Sequence, residues 1–299
     1  MKGILNFLVI AVCAVSTMVA QPLEVVATTG MVADLVQRVG GERIIVRPMI
    51  APGLDPHLYK PTRDDVARLL KAKAVFSNGL GLEGRMEDAL RKLSLRGTPV
   101  VSLGEAIPAD KLLRDETAPD PHVWMSPSTW ALALPAVAEA LGRIDPAGLD
   151  VFQRNSRQAA GEFVDLEERM KSRAEAIPAN QRMLVTSHDA FGYFGRATGI
   201  EVVGIQGVNT EAEAGVADMN RIVDLMVARR VPAIFFESTL TEKNVRAVIE
   251  GCESRGHKVR VGGVLYADSL GAPGSGAETW QGMLEHNMAT IEKGLGTQK

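Results

Sequence analysis

His57, His122, His188 and Asp268 are the residues of this chain whose types and settings point to shared chemistry. They sit in "GLDPHLYKPTRDD", "DPHVWMSP", "TSHDAFGYF" and "YADSLG". Imidazole nitrogen and carboxylate oxygen are donors that divalent transition-metal ions take from proteins, so three histidines and an aspartate make a plausible ligand set. Successive members are 65, 66 and 80 positions apart. Such spacing excludes a zinc finger, whose ligands cluster locally. It suits a site closed between two rigid bodies, each giving two donors.

His57 and His122 share the context Asp-Pro-His. Proline fixes the backbone just before each ring, and Asp55 or Asp120 is placed to accept the other ring N–H; the alternative is that each aspartate simply caps its turn. His188 reads as opening a helix together with Asp189, where the helix dipole disfavours a protonated imidazole. Glu237 ends the stretch "PAIFFES" and is a carboxylate that could hydrogen-bond across the cleft. His257 and His286 read as solvated or satisfied side chains, and Glu213 and Asp218 as an exposed helix face. Cys252 reads as a partly buried helical thiol.

The elements that must position these residues are legible from hydrophobic spacing. "LEVVATT", "RIIVRPMI", "AVFSNG" and "TPVVSLG" read as strands, alternating with helices in "GMVADLVQRVGG", after the N-cap Thr62, and in "LEGRMEDALRKL". Residues 127–177 give two long helical stretches and no strand. Beyond Pro178 strands and helices alternate again, through "RMLVTS", "EVVGI", "PAIFFES" and "HKVRVGG", to a closing helix from Glu278. This order predicts an α/β fold of two lobes, each a parallel sheet flanked by helices, joined by a single long helix with the metal in the cleft between them. The expected division is a signal peptide over 1–20, an N-terminal lobe over 21–145, the connecting helix over 146–177 and a C-terminal lobe over 178–299. In open α/β sheets ligands bind beyond the carboxyl ends of strands, which is where all four candidates fall.

At 299 residues the chain exceeds what one hydrophobic core usually serves, in keeping with two lobes. Its start, Lys2 followed by a mostly apolar run to Ala20, reads as a secretory signal and places the mature chain in the periplasm. Val12 before Cys13 is bulky where lipid-attachment sites take a small residue, which argues against an anchor there. Removing 1–20 leaves Cys252 alone, so no internal disulfide is expected. The mature balance is 32 basic against 36 acidic residues. With no basic stripe, that argues against nucleic acid as a partner.

With these residues in hand the chain resembles the metal-binding receptors of ATP-driven importers for manganese and zinc, the TroA-like or cluster A-I solute-binding proteins. The pieces that carry the resemblance are the four motifs above together with "EAEAGVADMNRIVDL", "FFESTL" and "EHNMATI", and they span nearly all of the mature chain. The resemblance implies two α/β lobes on one long helix, a metal held by His57, His122, His188 and Asp268, and delivery to a membrane permease. Manganese-bound members often carry Glu where this chain has His188. Zinc-specific members often carry a His- and acid-rich loop after the first ligand, which the segment between Pro61 and His122 lacks. Zn2+ and Mn2+ therefore both stand as the transported ion. The expected protein is a monomeric, non-enzymatic receptor. The alternatives are a secreted zinc-dependent hydrolase, which would need an open coordination position and a general base, and a surface adhesin.

Overall fold

The computed structural model describes residues 21–114 and 118–296. The signal peptide expected over 1–20, with Cys13, lies outside the described residues.

In the N-terminal lobe, β1 (Leu23–Ala27), β2 (Ile44–Pro48), β3 (Val75–Ser77) and β4 (Val100–Ser102) form a parallel sheet in the order β2-β1-β3-β4. Helices α1 (Gly30–Gly40), α2 (Arg63–Lys71) and α3 (Glu87–Leu95) make the crossovers. The sequence dictates their ends. Thr29 caps α1 by accepting from the Val32 amide, and Thr62 and Asp65 form a reciprocal capping box on α2.

The second lobe pairs β5 (Met183–His188) with β6 (Glu201–Gln206) and β7 (Ala233–Glu237) with β8 (Arg260–Leu265), both parallel. β5 lies against β7, although no backbone ladder joins them among the described residues. Helices α7 (Gly192–Thr198), α8 (Val216–Arg229), α9 (Lys243–Ser254) and α10 (Trp280–Leu295) complete it. Every residue of β5 and β7 is buried, the pattern of parallel strands covered on both faces.

After β4 come α4 (Pro127–Ala131), α5 (Leu134–Ile144), which packs on α1 of the N-terminal lobe, and the connecting helix α6 (Leu149–Glu175). The first of the two long helical stretches expected within residues 127–177 is broken into α4 and α5. Pro135 lies in the first turn of α5; continued as one helix, it would leave the Ala131 carbonyl without a donor and clash with it. The 27 residues of α6 reach ~40 Å, enough to run along both lobes. Its buried stripe of Phe152, Ala159, Phe163, Leu166, Met170 and Ala174 belongs to one apolar core shared by the two lobes. At its middle the Phe163 and Trp280 rings stack at 4.2 Å. No helix among the described residues is long and apolar enough to cross a membrane.

Candidate metal centre

Each of the four candidate side chains is fixed by its own local network. His57 lies in the loop after β2, where its amide donates to Asp55 Oδ1 at 2.8 Å. Its carbonyl packs against Gly84, where an added Cβ would stand 2.8 Å from the oxygen and φ is +40°. Only glycine allows that approach. His122 precedes a short 3-10 turn. Asp120 Oδ1 accepts its amide at 2.9 Å and lies 2.8 Å from its Nδ1. The same loop is anchored by Asn78 Nδ2 donating to Pro121 O and by the Tyr193 hydroxyl donating to Asp120 O, each at 3.0 Å.

His188 is the last residue of β5, and Glu237, the last residue of β7, receives its amide at 2.8 Å and faces its Nδ1 at 2.5 Å. Asp268 follows β8. Its neighbour Ala267 accepts from Trp124 Nε1 at 3.0 Å, while Ser269 Oγ accepts from the Gly53 amide at 2.6 Å.

These networks bring the four donors together. One ligand atom from each of His57, His122, His188 and Asp268 lies within 4.8 Å of all the others. The Nε2 atoms of His122 and His188 stand 3.3 and 3.2 Å from Asp268 oxygens, and that of His57 stands at 3.7 Å. Two ligands each ~2.0–2.1 Å from a tetrahedral ion are ~3.3 Å apart, which the distances from Asp268 to His122 and His188 match, while His57 stands slightly farther off. All four residues are buried, and the three Nε2 atoms and both Asp268 oxygens have no hydrogen-bond partner. Unsatisfied buried polar atoms cost roughly 1–3 kcal/mol each, so five facing one point call for a common partner. A divalent cation satisfies all of them.

The surroundings divide the imidazoles. Burial dominates at His57 and pulls its pKa down to about 4. Burial also pulls His122 down, but the charges of Asp120 and Asp268 outweigh it and hold the ring up at about 9. At His188 burial is again outweighed, by Glu237 and Asp268, and the pKa rises well above its ordinary value. Asp268, though buried, is held well below the usual carboxylate range by His188 and His122. Without metal, His57 is therefore neutral at pH 7, Asp268 is ionised, and His122 and His188 each carry one proton more than the neutral ring.

Several expectations for the surroundings need correction. Asp120 does meet the His122 ring, but Asp55 reaches the His57 amide rather than its ring, because its second oxygen is taken by the Thr210 hydroxyl at 2.7 Å. His188 does not open a helix, since α7 begins only at Gly192, and its pKa rises rather than falls because two carboxylates flank it. Glu237 bonds to His188 on the adjacent strand, not across the cleft. Glu213 precedes α8 rather than lying on it, whereas Asp218 is exposed on that helix as expected and also caps it by accepting the Gly215 amide. His257 and His286 are satisfied by the carbonyls of Val231 and Val264, and Cys252 is fully buried on α9. Thr210, Ser269 and Trp124 escaped notice as contributors. Trp124, two residues after His122, was the most readable of them, since a buried indole needs an acceptor.

The family model for the zinc-uptake complex component A, periplasmic, matches residues 25–294. The chain is 38% identical over 277 residues to the manganese-binding lipoprotein MntA of Bacillus subtilis (strain 168), covering 92% of this chain and 90% of that one. It is 40% identical over 273 residues to the zinc-binding protein TroA of Treponema pallidum (strain Nichols), covering 91% and 88%. The solved structure of the periplasmic zinc-binding protein TroA from Treponema pallidum superposes with a TM-score of 0.88 at 38% identity, covering 92% of this chain and all of that one.

Proposed function

The chain belongs to the zinc-uptake component A family of periplasmic metal-binding proteins, and from that premise we propose that it captures one divalent ion, Zn2+ or Mn2+, between its lobes and hands it to the permease of an ATP-driven importer. Its relatives are binding proteins of metal transport rather than enzymes. The observation that carries the reading is the convergence of five unpartnered buried donor atoms from His57, His122, His188 and Asp268 on one point.

Relatives named for manganese and for zinc match about equally well, so the choice of ion rests on the donors. Three nitrogens and one carboxylate suit zinc; manganese prefers more oxygen. Asp268 directs Oδ1 toward His122 and Oδ2 toward His57 and His188, so both oxygens border the ion's place and a fifth donor is within reach. The site thus accepts zinc with one oxygen and manganese with two.

The hydrolase alternative asks for an open coordination position, whereas here the four donors close on one another and are buried. No surface feature among the described residues favours the adhesin reading. The proposed division is a leader over 1–20, lobes over 21–145 and 178–299, and the connecting helix between, with the mature receptor acting as a periplasmic monomer. The relative named a lipoprotein keeps an anchored form in play.

The test is elemental analysis of protein purified from its own compartment. The wild-type chain should carry one equivalent of zinc or manganese, and His57→Ala and Asp268→Ala should lose it. Wild-type occupancy in both variants would refute the assignment.

A further inference from the structure

Glu83 is a fully buried carboxylate that is not one of the four ligands. A carboxylate out of water is costly unless donors surround it, and three do. The Thr28 hydroxyl at 2.7 Å and the Asn78 amide at 2.6 Å donate to its Oε1, and the Gly79 amide donates to Oε2 at 2.9 Å. Thr28 follows β1 and Asn78 follows β3, so one side chain pins the ends of two paired strands. Between Gly79 and Glu83 the backbone passes through Leu80, whose φ of +56° is a left-handed conformation that costs a leucine about 1–2 kcal/mol. Such strain persists where surrounding contacts over-determine the backbone. The Asn78 side chain carries this order onward, its Nδ2 donating at 3.0 Å to the carbonyl of Pro121, the residue before His122. Asp120 fixes the ring and amide of His122, but it belongs to the same loop and so does not set where that loop stands. From the N-terminal sheet, Asn78 does.

Resting on the receptor reading above, we propose that Glu83 is a positioning residue of the metal centre, acting through Asn78 to set where the His122 loop stands against the N-terminal sheet. Its carboxylate holds the amides of Asn78 and Gly79 and thereby aims the Asn78 side chain at Pro121. Glutamine at position 83 would keep the volume but offer one oxygen, and its NH2 would meet a backbone N–H on the other side. The relay would then be slack at its first link, with all four ligands unchanged.

Zinc affinity by chelator competition and the visible spectrum of the cobalt(II)-loaded protein test this on the full mature chain. Glu83→Gln and Asn78→Ala should each bind zinc about tenfold more weakly per folded molecule, the lower end of what support for a ligand imidazole is worth. Both should also change the cobalt d–d bands, because the His122 nitrogen shifts in the ligand field. A residue that serves packing alone would lower stability without moving those bands. In the Asn78→Ala background Glu83→Gln should add nothing to the loss of affinity, because its effect passes through Asn78. If Glu83→Gln fails to fold, Thr28→Val, which removes one donor from the carboxylate, takes its place in the cycle. Wild-type affinity and bands in either single variant overturn the inference and leave the receptor reading standing. So does a roughly hundredfold loss in the double variant, which would make the two residues independent. A wild-type chain that binds neither zinc nor manganese overturns both.

Discussion

Glu237 holds His188 at two atoms, accepting its backbone amide at 2.8 Å and standing 2.5 Å from its ring Nδ1. Backbone and ring are thus fixed by one carboxylate from the neighbouring strand, which leaves Nε2 to face Asp268 at 3.2 Å. A carboxylate in this place orients the imidazole and raises its basicity as a ligand. Glu237→Ala should weaken zinc binding ~10–100-fold. Glu237→Gln, which keeps an oxygen for one of the two contacts, should lose less. Competition titration against a chelator of known affinity measures both, and wild-type affinity in Glu237→Ala would contradict this role.

Trp124 links two ligand loops. Its indole Nε1 donates to Ala267 O beside Asp268, its ring stands 5.3 Å from that of His122, and its own carbonyl accepts from Trp280 Nε1 at 2.8 Å. Trp124→Phe keeps an aromatic ring but leaves Ala267 O without its donor and a void beside it. A loss of about 2–4 kcal/mol in urea unfolding of the metal-free protein is expected. Zinc affinity should fall severalfold as well. Lost stability with unchanged affinity would show that the residue serves packing alone.

Metal binding should be coupled to proton release. His122, held up at about 9, and His188, raised well above its ordinary value, are both protonated at pH 7 without metal. A metal ligand must be a neutral imidazole, so binding expels their protons, while His57, lowered to about 4, and the ionised Asp268 release none. Affinity should therefore climb with pH between 6 and 8, by up to about a hundredfold per unit, and less steeply above about 9, where His122 no longer carries its extra proton. Titration calorimetry in buffers of different ionisation enthalpy counts the protons. An affinity flat from pH 6 to 8 would contradict the electrostatics of the cluster.

Much of this site was legible in the sequence because His57, His188 and Asp268 lie at or beyond the ends of parallel strands, and His122 in a loop marked by proline. "DPH" twice, "TSHD" and "YADS" are local signals, each at a loop edge. What stayed hidden was long-range. Glu237 is 49 positions from His188, and only the packing of β5 against β7 brings them together. Thr210 is 155 positions from Asp55, and nothing in "GVNTEAEAG" marks that hydroxyl as a partner. Asp55 and Asp120 share a motif yet differ in role, because a competing donor from the other lobe reaches only Asp55.

The leader makes a separate prediction. Cleavage after Ala20 gives a mature chain beginning at Gln21, whereas an anchored form would begin at a lipid-bearing Cys13. Intact-mass analysis of protein recovered from its native host should show the first. A mass carrying a diacylglycerol group on Cys13 would replace the free periplasmic receptor with a tethered one.

The most direct measurement is anomalous diffraction from crystals of the metal-loaded mature protein, collected on either side of the zinc and manganese absorption edges. One peak per chain is expected, bounded by Nε2 of His57, His122 and His188 and by the Asp268 carboxylate. A peak elsewhere, or none among these four side chains in a fully loaded sample, would contradict the proposed centre and the receptor function built on it.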